Sequence, residues 1–280
     1  MLVIAGLGLY GFRDVSYGLM EWIRKADVIF LEQYTSILPG FDVKEFSKWI
    51  GKRVVLTTRK DIEEMNGGGI LHEAKKGIVV FLTIGNPFYA TTHVALVLRA
   101  AQMGIDYLVI PSVSVFDGII CSLGLQMYKF GKTATLTFPS EEYGFYPHST
   151  YFTVLDNLRK GLHTLLLLDL KVEENVFMTV DKAVDVMLLL ERLNNKNVFD
   201  EETLMIGVAR ATALDEKVYI GKIGDAREVD LGPPPHSIVI PGILHDVEIE
   251  YLSARFGVDK KVLEEWSNRV KTEYLDTQNT

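Results

Sequence analysis

The sequence predicts an α/β protein of two domains. Short apolar runs alternate with stretches of helical period along the first half of the chain, and this order favours a parallel sheet with helices on both faces. The runs are almost continuously apolar, as expected of parallel strands that are buried on two sides. The chain has 280 residues, a length that accommodates two domains of about 100–200 residues each.

The first half supplies the strands and helices of one complete α/β domain. Ser16 or Asp14 is expected to cap its first helix, because short polar side chains accept hydrogen bonds from the first free N–H groups of a helix. Strands are predicted at 2–9, 28–32, 53–56, 78–83 and 107–110, and helices at 16–25, 43–50, 69–76 and 92–104.

A break in the pattern, PSVSVFDG at 111–118, is the predicted linker, so we predict domains at residues 1–111 and 112–280. A closing helical region should begin near His245, and the polar tail after about residue 270 is expected to fray. Further helices are predicted at 117–128, 150–159 and 180–194, and strands at 134–138, 163–170, 203–211, 217–223 and 236–242.

Composition excludes several classes of protein. The net charge is −8 and no stretch is rich in Lys or Arg, which argues against nucleic acid as the main partner. The sequence contains no window of 18 uncharged apolar residues, so no membrane-spanning helix is predicted. The opening MLVIAGLGLYG lacks the basic region of a signal peptide and reads as a strand, so a cytoplasmic protein is expected.

The chemistry-bearing residue types form few recognisable motifs. The single Cys121 rules out an internal disulfide framework, and its apolar neighbours predict that it is buried. The six histidines show no H-x-x-x-H or H-x-x-E-H spacing, so no metal site is predicted. No G-x-S-x-G or P-loop motif occurs, and we assign no catalytic base.

The glycine-rich opening has two interpretations. Gly6, Gly8 and Gly11 fit G-x-G-x-x-G after a strand, and Glu32 ends the next strand, as in a dinucleotide-binding fingerprint. In that fingerprint the helix begins inside the glycine run and meets the pyrophosphate, whereas Phe12–Val15 intervene here. The other interpretation is a tight turn that leaves room for a different ligand at the sheet edge.

A second glycine turn follows the fourth strand, where Gly85 and Pro87 bend the chain sharply. Asn86 can donate and accept hydrogen bonds at once. Thr91 and Thr92 are expected to cap the next helix.

Six motifs together resemble one family. They are GLGLYGFRDVS near the start, GNPFYATTH after the fourth strand, YKFGKTATL at 128–136, GLHTLLLLDLK at 161–171, ARA at 209–211 and GPPPHSIVIPG at 232–242. In order and spacing they resemble the archaeal diphthine synthases, of the tetrapyrrole-methylase-like class of S-adenosylmethionine-dependent methyltransferases. The resemblance extends from residue 1 to about residue 256.

The resemblance implies that the cofactor, S-adenosylmethionine, lies in a cleft between two α/β domains. The family usually has Gly-Asp-Pro where this chain has Gly85-Asn86-Pro87, so a neutral amide replaces a carboxylate that could pair with the cofactor ammonium. The implied cofactor contacts are Leu9, Asn86, Tyr89, Ser114, Val115, Leu168, Ala211 and His236.

Each of these residues also has an ordinary structural explanation. Apart from the resemblance, the apolar contacts would be assigned to the hydrophobic core. Ser114 serves equally well as a helix cap, and a lone histidine such as His236 is more often structural than functional.

The resemblance further implies methylation of the amino group on the 3-amino-3-carboxypropyl histidine of translation elongation factor 2, giving diphthine, by a homodimeric enzyme. Tyr10, Phe88, Tyr89 and Phe116 could favour a cationic amine, and residues 140–149 are a candidate docking edge. The alternatives are a methylase of a corrinoid or porphyrin precursor, a dinucleotide-binding oxidoreductase, and a binding protein without turnover.

Overall fold

The computed structural model describes residues 1–275, which form two compact units. Met1–Gly118 and Lys171–Val176 make up the first unit, and Ile119–Leu170 with the described residues from Phe177 onward make up the second. The division thus follows Gly118, whereas the sequence predicts a boundary at residue 111. The end of the predicted second domain, 276–280, lies outside the described residues.

A parallel five-stranded sheet forms the centre of the first unit. Its strands are β1 (Leu2–Gly6), β2 (Val28–Glu32), β3 (Val54–Thr57), β4 (Val79–Thr83) and β5 (Tyr107–Ile110), and its helices are α1 (Tyr17–Lys25), α2 (Val43–Ile50), α3 (Gly68–Lys76) and α4 (Val94–Gln102). The strand order is β3-β2-β4-β1-β5, and every pairing is parallel. The parallel sheet predicted from the apolar runs is confirmed.

Both faces of this sheet are buried. Ile4 and Phe81 belong to the apolar core on one face, and Val3 and Val80 belong to the core on the other. Successive strand residues point to opposite faces, so only a continuously apolar strand can fill both cores.

The second unit contains a mixed sheet. α5 (Val115–Leu123) begins in the first unit and continues into the second. The elements that follow along the chain are β6 (Ala134–Leu136), α6 (His148–Leu158), β7 (Thr164–Leu168), β8 (Leu170–Lys171), β9 (Val176–Phe177), α7 (Val180–Asn194), β10 (Leu204–Ala209), β11 (Lys217–Lys222), α8 (Ile223–Ala226), β12 (His236–Ile240), α9 (Asp246–Phe256) and α10 (Lys260–Arg269). All of them belong to the second unit except β8 and β9, which each have one residue in either unit. The main sheet has the order β11-β10-β12-β7-β6, in which only the β6–β7 pair is parallel, and β8 pairs with β9 separately.

Two predicted helix starts are confirmed by their caps. The Ser16 hydroxyl accepts a hydrogen bond from the Leu19 N–H at 3.1 Å. His245 caps α9, and its backbone N–H donates to the Glu248 carboxylate at 2.7 Å. Within residues 1–275, none of the helices has the length and apolar character needed to cross a membrane.

The structure differs from the local predictions in three places. Cys121 is exposed, because α5 buries Ile119 and Leu123 and a residue two positions along a helix lies on nearly the opposite face. The side chains of Thr91 and Thr92 do not cap α4, whose N-cap residue is His93. In the tail predicted to fray after about residue 270, Val270–Tyr274 instead forms a helical turn that buries Val270 and Tyr274, and 276–280 lies outside the described residues.

Candidate functional site

The two glycine turns of the first unit are hydrogen-bonded to each other. The Gly8 N–H donates to the Gly85 carbonyl at 3.2 Å, and the Gly85 N–H donates to the Gly8 carbonyl at 3.0 Å. Both glycines have positive φ angles, +68° and +69°, a conformation that L-residues with a side chain rarely adopt. The pairing brings Leu9 and Asn86 into neighbouring turns at the carboxyl ends of β1 and β4.

Two backbone N–H groups of the opening loop donate hydrogen bonds to a carboxylate. Asp14 Oδ2 accepts hydrogen bonds from Leu9 N at 2.7 Å and Tyr10 N at 2.9 Å. A Cβ on Gly8 would lie 2.4 Å from the Asp14 Cβ, so Gly8 must lack a side chain for Asp14 to reach these donors. The sequence interpretation of Asp14 as a possible helix cap missed this role.

The same contacts argue against a dinucleotide site. In the fingerprint, loop N–H groups and a helix N-terminus bind the pyrophosphate, whereas here Asp14 occupies the N–H groups and α1 begins only at Tyr17. Glu32, which would bind the ribose, is fully buried. Its carboxylate accepts hydrogen bonds from Tyr34 N and from both N and Oγ1 of Thr35.

Asn86 connects the second turn to the segment before α5. Its Nδ2 donates to the Ser112 carbonyl at 3.1 Å, and its Oδ1 accepts from Phe88 N at 3.2 Å. The Tyr89 ring stacks on Phe116 with centroids 6.1 Å apart. These contacts bring the first-unit candidates together, because the turns of Leu9, of Asn86 and Tyr89, and of Ser114 and Val115 are all linked.

Ser114 caps α5. Its N–H and its hydroxyl both donate to Asp117 Oδ2, at 2.7 and 2.6 Å, and the Asp117 N–H returns a longer bond to Ser114 Oγ at 3.4 Å. Its carbonyl accepts from Gly118 N. Every polar atom of Ser114 therefore takes part in the start of the helix, and Val115 is the first helical residue.

The three candidates of the second unit lie at the same end of the three inner strands of its sheet, β10, β12 and β7. Leu168 ends β7, and the register of β12 with β7 pairs Ser237 with Leu167, which places His236 beside Leu168. In the β10–β12 pair His236 lies opposite Ala209, two residues before Ala211. Strand pairing thus brings together Leu168, Ala211 and His236.

The His236 ring is held by hydrogen bonds within its own unit. Its Nδ1 accepts from Val180 N at 3.2 Å, so Nε2 carries the proton and donates to the carbonyls of Gly232 and Pro233 at 3.0 and 3.2 Å. Burial lowers the pKa of His236, which keeps the ring neutral. Neither ring nitrogen of His236 is therefore left to form a hydrogen bond with a ligand.

Nothing in the sequence marks Arg210, one residue before Ala211, as part of the site. Its side chain is almost fully buried and donates to the carboxylate and the carbonyl of Asp215, both at 2.7 Å, and to the carbonyls of Leu231 and Pro233. These bonds fix the backbone around Ala211 against the loop that precedes His236. Among residues 1–275, no group of three or more His, Cys, Asp or Glu side chains is placed to hold a metal ion.

Comparison with known proteins identifies the class. The family model of the tetrapyrrole (corrin/porphyrin) methylases matches residues 1–227, and the chain belongs to this family. The predicted α/β fold of the tetrapyrrole methylase type is thereby confirmed.

Individual relatives narrow the assignment. A diphthine synthase of Methanocaldococcus jannaschii is 41% identical over 254 residues, which cover 90% of this chain and 97% of the relative. A diphthine synthase of Methanococcus aeolicus is 36% identical over 252 residues, 90% of this chain and 96% of the relative. A crystal structure of diphthine synthase superimposes with a TM-score of 0.83 at 30% identity and covers 95% of this chain and 100% of that one. Within its family, this chain groups with the diphthine synthases, and the predicted resemblance is confirmed.

Replacing Asn86 should weaken cofactor binding in a graded way. The Asn86→Ala variant loses both side-chain hydrogen bonds. It should bind S-adenosylhomocysteine, the form of the cofactor that remains after methyl transfer, about 1–3 kcal/mol more weakly. Asn86→Asp restores the carboxylate usual in the family and can still accept from Phe88 N, but it cannot donate to Ser112, so its affinity should lie between those of Ala and Asn. Calorimetric titration of the three proteins measures the order, and equal affinities would show that the Asn86 side chain has no part in binding.

Proposed function

We propose that the chain transfers methyl groups from S-adenosylmethionine to the amino group of the 3-amino-3-carboxypropyl histidine of translation elongation factor 2, giving diphthine. The expectation of a methyltransferase is confirmed by membership in the tetrapyrrole methylase family. The observation that carries the cofactor assignment is the Gly8–Gly85 pairing, which joins the turns of Leu9 and Asn86. We further propose a homodimer in the cytoplasm.

The residues of the first unit suit this cofactor. A phosphate needs free N–H donors, and Asp14 occupies those of Leu9 and Tyr10. A half-buried carboxylate beside the glycine turn at Gly8 instead favours a ligand that carries positive charge. S-adenosylmethionine has a sulfonium and an ammonium group and no phosphate.

The proposed contacts include residues of each unit. In the first unit we propose Leu9, Asn86, Tyr89, Ser114 and Val115, and in the second Leu168, Ala211 and His236. Since Ser114 and His236 use their side-chain polar atoms locally, neither side chain is expected to supply a hydrogen bond to the cofactor.

The reaction requires little acid–base catalysis by the protein. When bound, the cofactor supplies a methyl group that already carries its own leaving group. The residues of the chain hold and align the acceptor amine, so the protein accelerates the methyl transfer mainly through proximity and orientation. An amine of this kind has a pKa between about 8 and about 10.4, and desolvation lowers it. A dedicated side-chain base is therefore not required.

A protein substrate suits the surface of the second unit. Ser140 and Phe145 exchange two backbone hydrogen bonds of 2.9 Å, so residues 140–145 form a defined hairpin. Tyr143 is 79% exposed at its tip. We propose this hairpin as a docking edge for elongation factor 2.

The first test concerns the cofactor. S-adenosylhomocysteine should bind in a calorimetric titration, and NAD should give no heat of binding, because Asp14 occupies the loop donors that a pyrophosphate needs. Binding of NAD without binding of S-adenosylhomocysteine would replace the methyltransferase by the oxidoreductase alternative.

The second test concerns the acceptor. Labelled methyl groups from S-adenosylmethionine should enter elongation factor 2 that bears the 3-amino-3-carboxypropyl histidine, and should not enter the unmodified factor or a tetrapyrrole precursor. Labelling of the tetrapyrrole alone would favour the corrinoid or porphyrin alternative, and cofactor binding without any labelling would favour a binding protein.

A further inference from the structure

The carbonyl of Pro87 accepts two side-chain hydrogen bonds from the segment that follows the turn. Thr91 Oγ1 donates to it at 2.6 Å, and His93 Nδ1 lies 3.2 Å from the same oxygen. Pro87 lies between Asn86 and Tyr89, the proposed cofactor contacts of this turn. The sequence predicts that Thr91 caps α4, but its hydroxyl is used here instead.

The environment of His93 determines which ring nitrogen carries the proton. A carbonyl oxygen can only accept, so the proton lies on Nδ1. Nε2 is buried and has no hydrogen-bond partner among residues 1–275, and an N–H placed there would be a buried, unpaired donor. Burial lowers the pKa of His93, and the carboxylates of Glu32 and Glu63 oppose this only in part. The ring is therefore neutral, with the proton on Nδ1.

Packing fixes the ring in this orientation. His93 has no exposed surface, and its ring meets Phe81 edge-on at 5.5 Å and Tyr34 edge-on at 6.4 Å between centroids. Phe81 is part of the central strand β4. The donor that holds the turn is thus anchored in the core of the first unit.

We propose that His93 and Thr91 are positioning residues for the turn from Asn86 to Tyr89. By holding the Pro87 carbonyl, while Asn86 Nδ2 donates to the Ser112 carbonyl, they keep Asn86 and Tyr89 in place before the cofactor arrives. The inference rests on the proposed function, because the role of the turn is to bind S-adenosylmethionine.

Two pairs of variants test the role of the hydrogen bonds. Thr91→Val removes the hydroxyl without changing the shape, whereas Thr91→Ser retains it. His93→Gln moves the amide away from the Nδ1 position, whereas His93→Asn places an amide donor near it. Thr92→Val is the matched control, since Thr92 is exposed and its side chain takes no part in the proposed contacts.

Affinity for S-adenosylhomocysteine, measured by calorimetry, is the first readout. Thr91→Val and His93→Gln should each bind about tenfold more weakly, the equivalent of one lost hydrogen bond. Thr91→Ser, His93→Asn and Thr92→Val should stay within about threefold of the wild type. Wild-type affinity in a folded Thr91→Val variant would overturn the proposal.

The second readout is the tautomer of His93 in the unmodified protein. Nitrogen NMR of histidine-labelled protein should show a protonated Nδ1 and an unprotonated Nε2, and the opposite tautomer would overturn the proposal even if the His93 variants do not fold. Failure of the wild type to bind S-adenosylhomocysteine would contradict the proposed function, and the positioning role with it. Normal wild-type binding together with unaffected variants would contradict the positioning role alone.

Discussion

Replacing Glu248 by glutamine should lower the free energy of unfolding by about 3–5 kcal/mol, the cost of breaking a buried ionic network. The Glu248 carboxylate has no exposed surface. It accepts hydrogen bonds from Gln126 N at 2.8 Å, His245 N at 2.7 Å and His163 Nε2 at 3.3 Å, and Lys129 Nζ lies 3.3 Å away. Glutamine keeps the shape but leaves the Lys129 charge without its partner.

The same network should make the stability depend on pH. Burial alone would raise the pKa of Glu248, but the hydrogen bonds from His163, Gln126 and His245 outweigh it and lower the pKa from 4.5 to about 2. Because the folded-state pKa is depressed, this contribution is fully present above about pH 4.5 and is lost as the pH falls toward 2. It amounts to about 3 kcal/mol.

Urea unfolding at pH 7 and at pH 3 measures both effects. The wild type should lose more stability than Glu248→Gln on acidification, because the variant no longer carries the titrating group. Glu250→Gln is the control on the same helix: its side chain is 64% exposed and paired with Lys260, so its effect should stay within about 1 kcal/mol. Equal stability of the two variants at pH 7 would mean that the buried network contributes nothing.

Much of the fold could be predicted because its apolar residues are periodic. The strand at 78–83 and the helix at 180–194 need only local patterns, and both occur, as Val79–Thr83 and Val180–Asn194. The position of β12 between β10 and β7 could not be predicted, because three similar apolar strands can pair in several orders. Cys121 shows the same limit within a helix, where apolar neighbours do not reveal which side is buried.

The candidate site, too, could be predicted from the sequence only in part. The resemblance supplied Leu9, Asn86 and the other predicted contacts from short motifs. The roles of Asp14 and Arg210 depend on backbone groups that only the folded turns bring near them, so neither residue stands out in the sequence. A glycine such as Gly8, which adopts a positive φ, indicates a turn in the sequence but does not tell which residue approaches it.

Replacing Gly6 by alanine should disrupt the junction of the two turns and with it cofactor binding. A Cβ at Gly6 would lie 2.1 Å from the Gly85 carbonyl oxygen and 2.9 Å from the Ser112 Cβ, and real Cβ atoms do not approach so closely. Because the Gly85 oxygen belongs to the backbone that pairs with Gly8, the clash can be relieved only by separating β1 from the turn that carries Asn86.

We expect Gly6→Ala to reduce affinity for S-adenosylhomocysteine at least about tenfold and to destabilise the fold by about 1–3 kcal/mol, the usual cost of overpacking. Gly69→Ala is the matched control, since a Cβ there meets nothing within 4 Å and the residue lies in the first turn of α3. Alanine at position 69 should leave affinity unchanged and stabilise the helix slightly, because glycine is the poorer helix former. Calorimetry and urea unfolding of both variants measure the difference. If Gly6→Ala binds as tightly as Gly69→Ala, the junction of the two turns does not form the cofactor site.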